Sequence, residues 1–272
     1  MTFETLDIRR DGAVVFATIT AAPINLIGPA LVRDLVSFVI EAEADAGIQV
    51  VVFKSGDPDF FIAHVDVTRI SEYRQETIPL AGEPSLGLLF RRLSLSRLIT
   101  IAQIEGRVRA AGNEFVLACD MRFAALETAI FAQPETGYGL VPGAGGMQHL
   151  ARLVGRARAL EIMLSGEDYN AAIAERYGWI NRAMPAAELD GFVRALAQRI
   201  AKFPASARNG VKTRVNSLTL ASAEEFREDS DLFLERSRDP VSQARTQIAL
   251  QQHGFQTREG ELDLARQLDR LS

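Results

Sequence analysis

Two glutamates and a patch of bare backbone, all between Ile101 and Gly146, are the residues here best suited to chemistry. The stretch begins I-A-Q-I-E-G-R-V-R-A-A-G-N-E-F-V-L-A-C-D-M and ends F-A-Q-P-E-T-G-Y-G-L-V-P-G-A-G-G. Its first half reads as a short strand, a turn at Gly106, the small residues Ala110, Ala111 and Gly112, and then a helix. Small residues at a helix start let a ligand approach N–H groups that are unpaired and lie at the positive end of the helix dipole. Such a corner suits an anion or a developing oxyanion. Glu114 sits in that first turn, and Glu135 follows behind Pro134, ahead of a glycine-rich turn into another helix. Alone, Glu114 reads as a complement to the helix dipole and Glu135 as an acidic residue at a turn. Together, beside exposed backbone, they point to proton transfer at carbon. Two carboxyls close together in a semi-apolar pocket raise at least one pKa, so acid and base forms coexist near neutrality.

The elements that must hold this corner read as a mixed α/β core. Phe3 to Arg9 and Ala13 to Ile19, joined through Asp11-Gly12, predict a hairpin. Helical spacing over Pro29 to Ala46, then the apolar run Val50 to Phe53, predict a crossover helix and a parallel strand buried on both faces. Ser71 to Ser85, with Pro79, Gly82 and Pro84, reads as a mobile or irregular connection. Leu86 to Leu98 is helical and Ile99 to Ile104 is a strand, with short strands over Arg122–Ala125, Ala129–Phe131 and Trp179–Ala183. Helices follow over Gly143–Leu153 and Ala157–Leu164. From Ala186 onward the chain is helical throughout, ending in a helix over Glu259–Leu271, so an α/β unit at 1–185 and a helical region at 186–272 are expected. No internal sequence repeat is visible.

Composition narrows the function. A 47% hydrophobic chain of 272 residues supports a substantial core, and a net charge of −5 argues against nucleic acid as the main partner. The one cysteine, Cys119, lies in an apolar helical context and reads as a structural thiol. The N-terminus has no signal pattern and no run approaches the ~20 apolar residues of a membrane span, so a soluble cytoplasmic protein without membrane partners is expected. There is no G-x-S-x-G, no phosphate-binding G-x-x-x-x-G-K-[ST] and no Cys/His cluster at metal spacing. His64, His149 and His253 are far apart, and His149 reads as structural or surface-lying. Pro142 breaks the dinucleotide fingerprint in the glycine run.

Three blocks, F-F-I-A-H-V-D-V, I-E-G-R-V-R-A-A-G-N-E-F-V-L-A-C-D-M-R-F-A and F-A-Q-P-E-T-G-Y-G-L-V-P-G-A-G-G-M-Q-H-L, resemble the motifs of the enoyl-CoA hydratase/isomerase (crotonase) superfamily. The likeness continues through L-V-G-R-A-R-A-L-E-I-M-L-S-G and the helical tail. The resemblance implies a spiral of ββα turns and a C-terminal helical region that assembles a homotrimer, often doubled to a hexamer. It implies a CoA thioester as substrate, with no separate cofactor and no metal. It places the oxyanion donors at Val65 and Ala111, and the CoA moiety near Ile62, Ala63 and Asp66, with the Ile62–Ala63 backbone by the adenine. It gives Glu114 and Glu135 the catalytic roles and Gly143 the backbone N–H that helps fix the water. With both glutamates present, hydration of a trans-2-enoyl-CoA is the leading expectation. The alternatives are an isomerase using mainly one glutamate, a hydrolase or decarboxylase of the same fold, or a non-catalytic acyl-CoA-binding member.

Two positions depart from the family pattern. The block usually written A-G-A-D or A-G-x-D is Ala63-His64-Val65-Asp66 here, so a histidine stands beside a donor, where it narrows the pocket or contacts the substrate. Ala110-Ala111 replaces a glycine pair, and alanine keeps its N–H. Tyr138 and Arg109 are further candidates for shaping the acyl pocket, Arg109 equally as an internal ion pair.

Overall fold

The computed structural model describes residues 2–271. Strands β1 (Leu6–Asp11) and β2 (Val14–Ile19) pair antiparallel through a turn at Gly12, whose φ of +62° suits glycine. Helix α1 (Pro29–Ala44) opens on its proline, as expected, and returns the chain to β3 (Val50–Ser55), parallel to β2.

From there a ββα unit recurs. β3 leads to the short strand β4 (Phe60–Ile62) and to α2 (Ile70–Gln75), α3 (Ile78–Ala81) and α4 (Leu86–Ser94). The second circuit is β5 (Ile99–Ile104), β6 (Arg107–Arg109) and α5 (Ala111–Ala118). The third is β7 (Met121–Ala125), β8 (Ile130–Ala132), a 3-10 turn over Glu135–Tyr138, α6 (Gly146–Val154) and α7 (Arg156–Ser165). Then come β9 (Tyr169–Asn170), α8 (Ala171–Tyr177) and β10 (Arg182–Met184). The long strands build a six-stranded sheet, β1-β2-β3-β5-β7-β10, parallel except for β1. The short ones build a second sheet, β4-β6-β8-β9. The repeat lives in the topology and not in any recurring sequence.

The helices beyond are α9 (Ala186–Ala201), α10 (Ala205–Thr219), α11 (Ala223–Ser237), α12 (Pro240–Gln252), α13 (Arg258–Leu262) and α14 (Leu264–Leu268). Alternate residues of the large sheet explain its continuous apolar runs. Val50, Val52, Ile99 and Ile101 pack under Leu189, Val193 and Ala197 of α9, while Val51, Phe53, Ala102 and Ile104 face the main core. Among the described residues no helix is long and apolar enough to cross a membrane.

Two expectations are corrected. Ser71–Ser85 is not irregular: α2 and α3 occupy most of it, with Pro79 in the first turn of α3 and Gly82 as its left-handed cap at φ +84°. Fully buried Thr77 ties them together, its hydroxyl 2.8 Å from the Arg74 carbonyl and accepting from Ser85 N–H at 3.0 Å. The single helix expected over Glu259–Leu271 is two short ones, broken at Asp263.

Helix α5, which carries Glu114, is buried along its whole length. Its C-terminal carbonyls therefore cannot turn to water. Arg122 supplies the donors: its buried guanidinium bonds the carbonyls of Val116 (3.2 Å), Cys119 (2.8 Å) and Trp179 (3.0 Å). A cation there also complements the helix dipole. Arg122→Met keeps the bulk but strands these acceptors, and a stranded buried group costs about 1–3 kcal/mol. Urea unfolding should show a loss of about 3 kcal/mol or more; a loss under about 0.5 kcal/mol would remove Arg122 from this role.

Candidate active site

The site begins where β6 turns into α5. Ala110 adopts φ +47°, ψ −126°, a conformation that costs a residue with a Cβ about 1–3 kcal/mol. Ala110 N–H donates to the Ala132 carbonyl (3.1 Å), and its own carbonyl accepts Glu114 N–H (3.0 Å), so both sides of the turn are held. The turn leaves Ala111 N–H, the first of the helix, without a protein acceptor among the described residues. Gly112 lets α5 meet β4, because a Cβ there would strike the Ile62 carbonyl.

The loop after β4 brings the second donor. The His64 carbonyl accepts Ile27 N–H (2.8 Å), and Asp66 N–H donates to the Ile27 carbonyl (3.0 Å). In a trans peptide the N–H points opposite to the C=O. Val65 N–H is therefore turned away from Ile27, and it too has no protein acceptor among the described residues. Val65 and Ala111 line one cavity of about 370 Å³, together with Glu114, Glu135, Gly143 and Tyr138.

The two glutamates are held differently. Glu114 Oε1 accepts N–H groups from the glycine-rich turn, Ala144 at 2.7 Å and Gly146 at 2.8 Å. Burial first, then Glu135, pushes Glu114 up to about 8, against those two hydrogen bonds. Glu135 Oε1 accepts Gln133 Nε2 at 2.8 Å, whereas its Oε2 is buried with no partner among the described residues. Burial pushes Glu135 up to about 7. A three-residue chain fixes this last bond. The Trp179 indole can only donate, and it reaches Asn113 Oδ1 at 2.9 Å; Asn113 Nδ2 donates to Gln133 Oε1, leaving Gln133 Nε2 for Glu135. All three side chains are fully buried.

Sequence reasoning passed over this relay, although Gln133 stands two residues before Glu135. It also missed that Ala144 and Gly146 supply the N–H groups on Glu114. Gly143 lines the cavity, and its carbonyl accepts from Ser230 (2.7 Å). Ile62 and Ala63 are fully buried and Asp66 accepts from Thr68 and Gln256; none of the three is on the cavity wall.

Arg109 and His64 are settled by their partners. Arg109 is an internal ion pair, bidentate to Asp168 at 2.8 and 2.5 Å and donating to the Glu261 carbonyl at 2.6 Å. It does not line the cavity. His64 does, but as a ring stacked 4.4 Å from Phe255 with both nitrogens engaged, by the Val65 carbonyl (2.7 Å) and Glu261 (2.8 Å). Neither nitrogen is open to a substrate. Tyr138 packs on Phe255 from the other side, at 5.0 Å. Away from the site, burial pushes the Cys119 thiol up to about 12 and holds His149 down at about 3, so one is protonated and the other neutral.

Comparison with known proteins places the chain in a family. The enoyl-CoA hydratase/isomerase family model matches residues 9–251. A Mycobacterium tuberculosis protein named as a probable enoyl-CoA hydratase is 32% identical over 217 residues, 79% of this chain and 82% of that one. A short-chain-enoyl-CoA hydratase of Clostridium acetobutylicum is 29% identical over 74% of this chain and 76% of its own. A crystal structure from Streptomyces avermitilis, carrying a provisional enoyl-CoA hydratase name, is 49% identical with a TM-score of 0.97, covering 100% and 99% of the two chains. With the ββα spiral, the paired glutamates and the match across nearly its whole length, this chain belongs to the enoyl-CoA hydratase/isomerase (crotonase) superfamily.

Proposed function

We propose that the protein adds water across the trans-2 double bond of an acyl-CoA thioester. One observation carries this reading: two buried carboxyls with raised pKa values share a cavity with two backbone N–H groups that have no protein acceptor. The thioester oxygen accepts from Val65 N–H and Ala111 N–H. Glu114, whose Oε1 already holds two donors, is the carboxylate of the pair. The numerical order of the two pKa values favours the opposite placement, but the unpartnered Glu135 Oε2 would be a costly place for a buried negative charge. The proton therefore sits on Glu135.

Glu114 takes a proton from water as its oxygen bonds to the β-carbon. The double-bond electrons pass into the thioester enolate, and Glu135 delivers its proton to the α-carbon. A proton returning from Glu114 to Glu135 resets the site. CoA enters only as part of the substrate; the family resemblance puts it near Ile62, Ala63 and Asp66, of which Ile62 and Ala63 are fully buried, so Asp66 is the one of the three with surface to offer it. Val211, Val215 and Leu218 of α10 are 66%, 51% and 68% exposed, a face that supports assembly as a homotrimer or a dimer of trimers.

The test is turnover of short and medium trans-2-enoyl-CoA in D2O. A 3-hydroxyacyl thioester carrying deuterium at the α-carbon is the expected product. Double-bond migration without uptake of water would replace hydration by isomerisation. Thioester binding with neither reaction would make this a binding protein.

A further inference from the structure

The histidine beside Val65 takes the place of the family's usual glycine, and its surroundings are built with care. Its two ring nitrogens face two acceptors, the Val65 carbonyl and Glu261 Oε1. Glu261 Oε1 also accepts Gln256 N–H at 3.0 Å; its Oε2, without a hydrogen-bond partner among the described residues, differs from that of Glu135 in lying 3.9 Å from the buried Arg109 cation, which keeps Glu261 a carboxylate. A neutral imidazole has one N–H and would leave one of its two acceptors facing a lone pair. His64 is therefore a doubly donating imidazolium, 3% exposed and covered by Phe255.

We infer that the buried His64–Glu261 pair is a positioning device for the Val65 oxyanion donor. Ile27 bonds the His64 carbonyl on one side of the Val65 N–H, and the imidazolium bonds the Val65 carbonyl on the other. The peptide planes on both sides of Val65 are thus fixed, which aims its N–H into the cavity. Glu261 comes from α13, and Arg109 of β6 holds it there by bonding its main-chain carbonyl. The C-terminal helices thereby help set the donor geometry within their own chain. This inference rests on the assignment of Val65 as an oxyanion donor.

The groups facing His64 are Glu261 from α13, Arg109 from β6 with Asp168 beyond it, and Glu135 from the 3-10 turn. Burial pulls the His64 pKa down, and the charge and hydrogen bond of Glu261 with the Val65 carbonyl outweigh it, so the net direction is up. His64 in turn opposes the rise of Glu135. Glu261→Gln keeps the shape but removes the anion that keeps His64 charged. The pH limb governed by Glu135 should then move to higher pH, which loss of a merely structural tether would not produce.

Nitrogen-15 NMR of wild-type His64 at pH 7 should show both ring nitrogens protonated; a neutral ring overturns the inference and needs no variant. A conjugated dienoyl-CoA should absorb to the red when bound, because the oxyanion donors polarise its carbonyl. In Glu261→Gln that red shift should fall by at least half and kcat by about 10-fold, with KM within about twofold, since removing a donor outright costs about 10²–10³. Unchanged red shift and kcat overturn the inference while leaving hydration intact. A wild type that polarises the thioester but adds no water defeats the hydratase reading alone, and the red shift still judges the His64–Glu261 pair. A bound thioester with no red shift in wild type defeats both.

Discussion

Glu114→Gln is expected to lower kcat for enoyl-CoA hydration by about 10²–10⁴ and, at pH 8, to make the protein more stable. Glutamine can still accept the Ala144 and Gly146 N–H groups but cannot take a proton from water. The stability gain follows from linkage. The two carboxyls titrate near 4.5 when unfolded, and when folded the pair is pushed up to between about 7 and about 8, its shared proton sitting on Glu135. Below 4.5 both states hold the proton, so burial of the group costs no charge. As pH rises from 4.5 to about 8 the unfolded chain releases both protons while the folded pair keeps the one on Glu135, and stability is lost steadily; replacing Glu114 removes the neighbouring anion that holds that proton on. A shift of this size corresponds to about 5 kcal/mol as a ceiling, and coupling to Glu135 lowers what one substitution recovers. Melting at pH 5 and pH 8 should show Glu114→Gln gaining about 5 °C more over wild type at the higher pH. Equal offsets at both pH values would mean that the pair holds no proton over this range, and the proton-transfer mechanism would lose its acid, Glu135. Glu135→Gln should repeat the pattern more weakly, because Glu135 is raised less.

What could be read from the sequence was whatever a short window contains. The corner from β5 to α5 was visible because an apolar strand, small residues and Glu114 lie within fifteen residues of one another. The two- and three-residue strands β4, β6 and β9 were not, since no periodicity develops over one alternation. Arg109 stayed open between an internal ion pair and a substrate contact, because the partners that bury it arrive from 59 and 152 residues away. His64 and Glu261 are 197 residues apart, so no local signal reveals that the ring is already occupied. The Ser71–Ser85 misreading has a different cause. Its two prolines and one glycine punctuate two short helices, and the same residue types also mark disorder. The glutamates were found by local chemistry; their supporting groups depend on tertiary contacts that local chemistry does not contain.

Gly112→Ala should be among the most damaging single-methyl changes in the site. The added Cβ would meet the Ile62 carbonyl oxygen as well as Ile62 Cβ and Cγ2, both at 2.8 Å. None of these is the free end of a flexible side chain. Ile62 lies in β4, is fully buried, and its strand pairs with β6, which leads directly into the Ala110 turn. The strain must therefore lift the first turn of α5, and that turn carries both Ala111 N–H and Glu114. Overpacking of this kind costs about 1–3 kcal/mol, and a misplacement approaching 1 Å at a reacting group costs about 10²-fold in rate. Both losses should appear together: a lower urea midpoint with unchanged m, and kcat down by about 10². Stability lost without activity would show that the helix relaxes away from the donors. Activity and stability both at wild-type level would mean that α5 and β4 are less closely apposed than the structure has them, and the oxyanion corner would have to be rebuilt around Val65 alone.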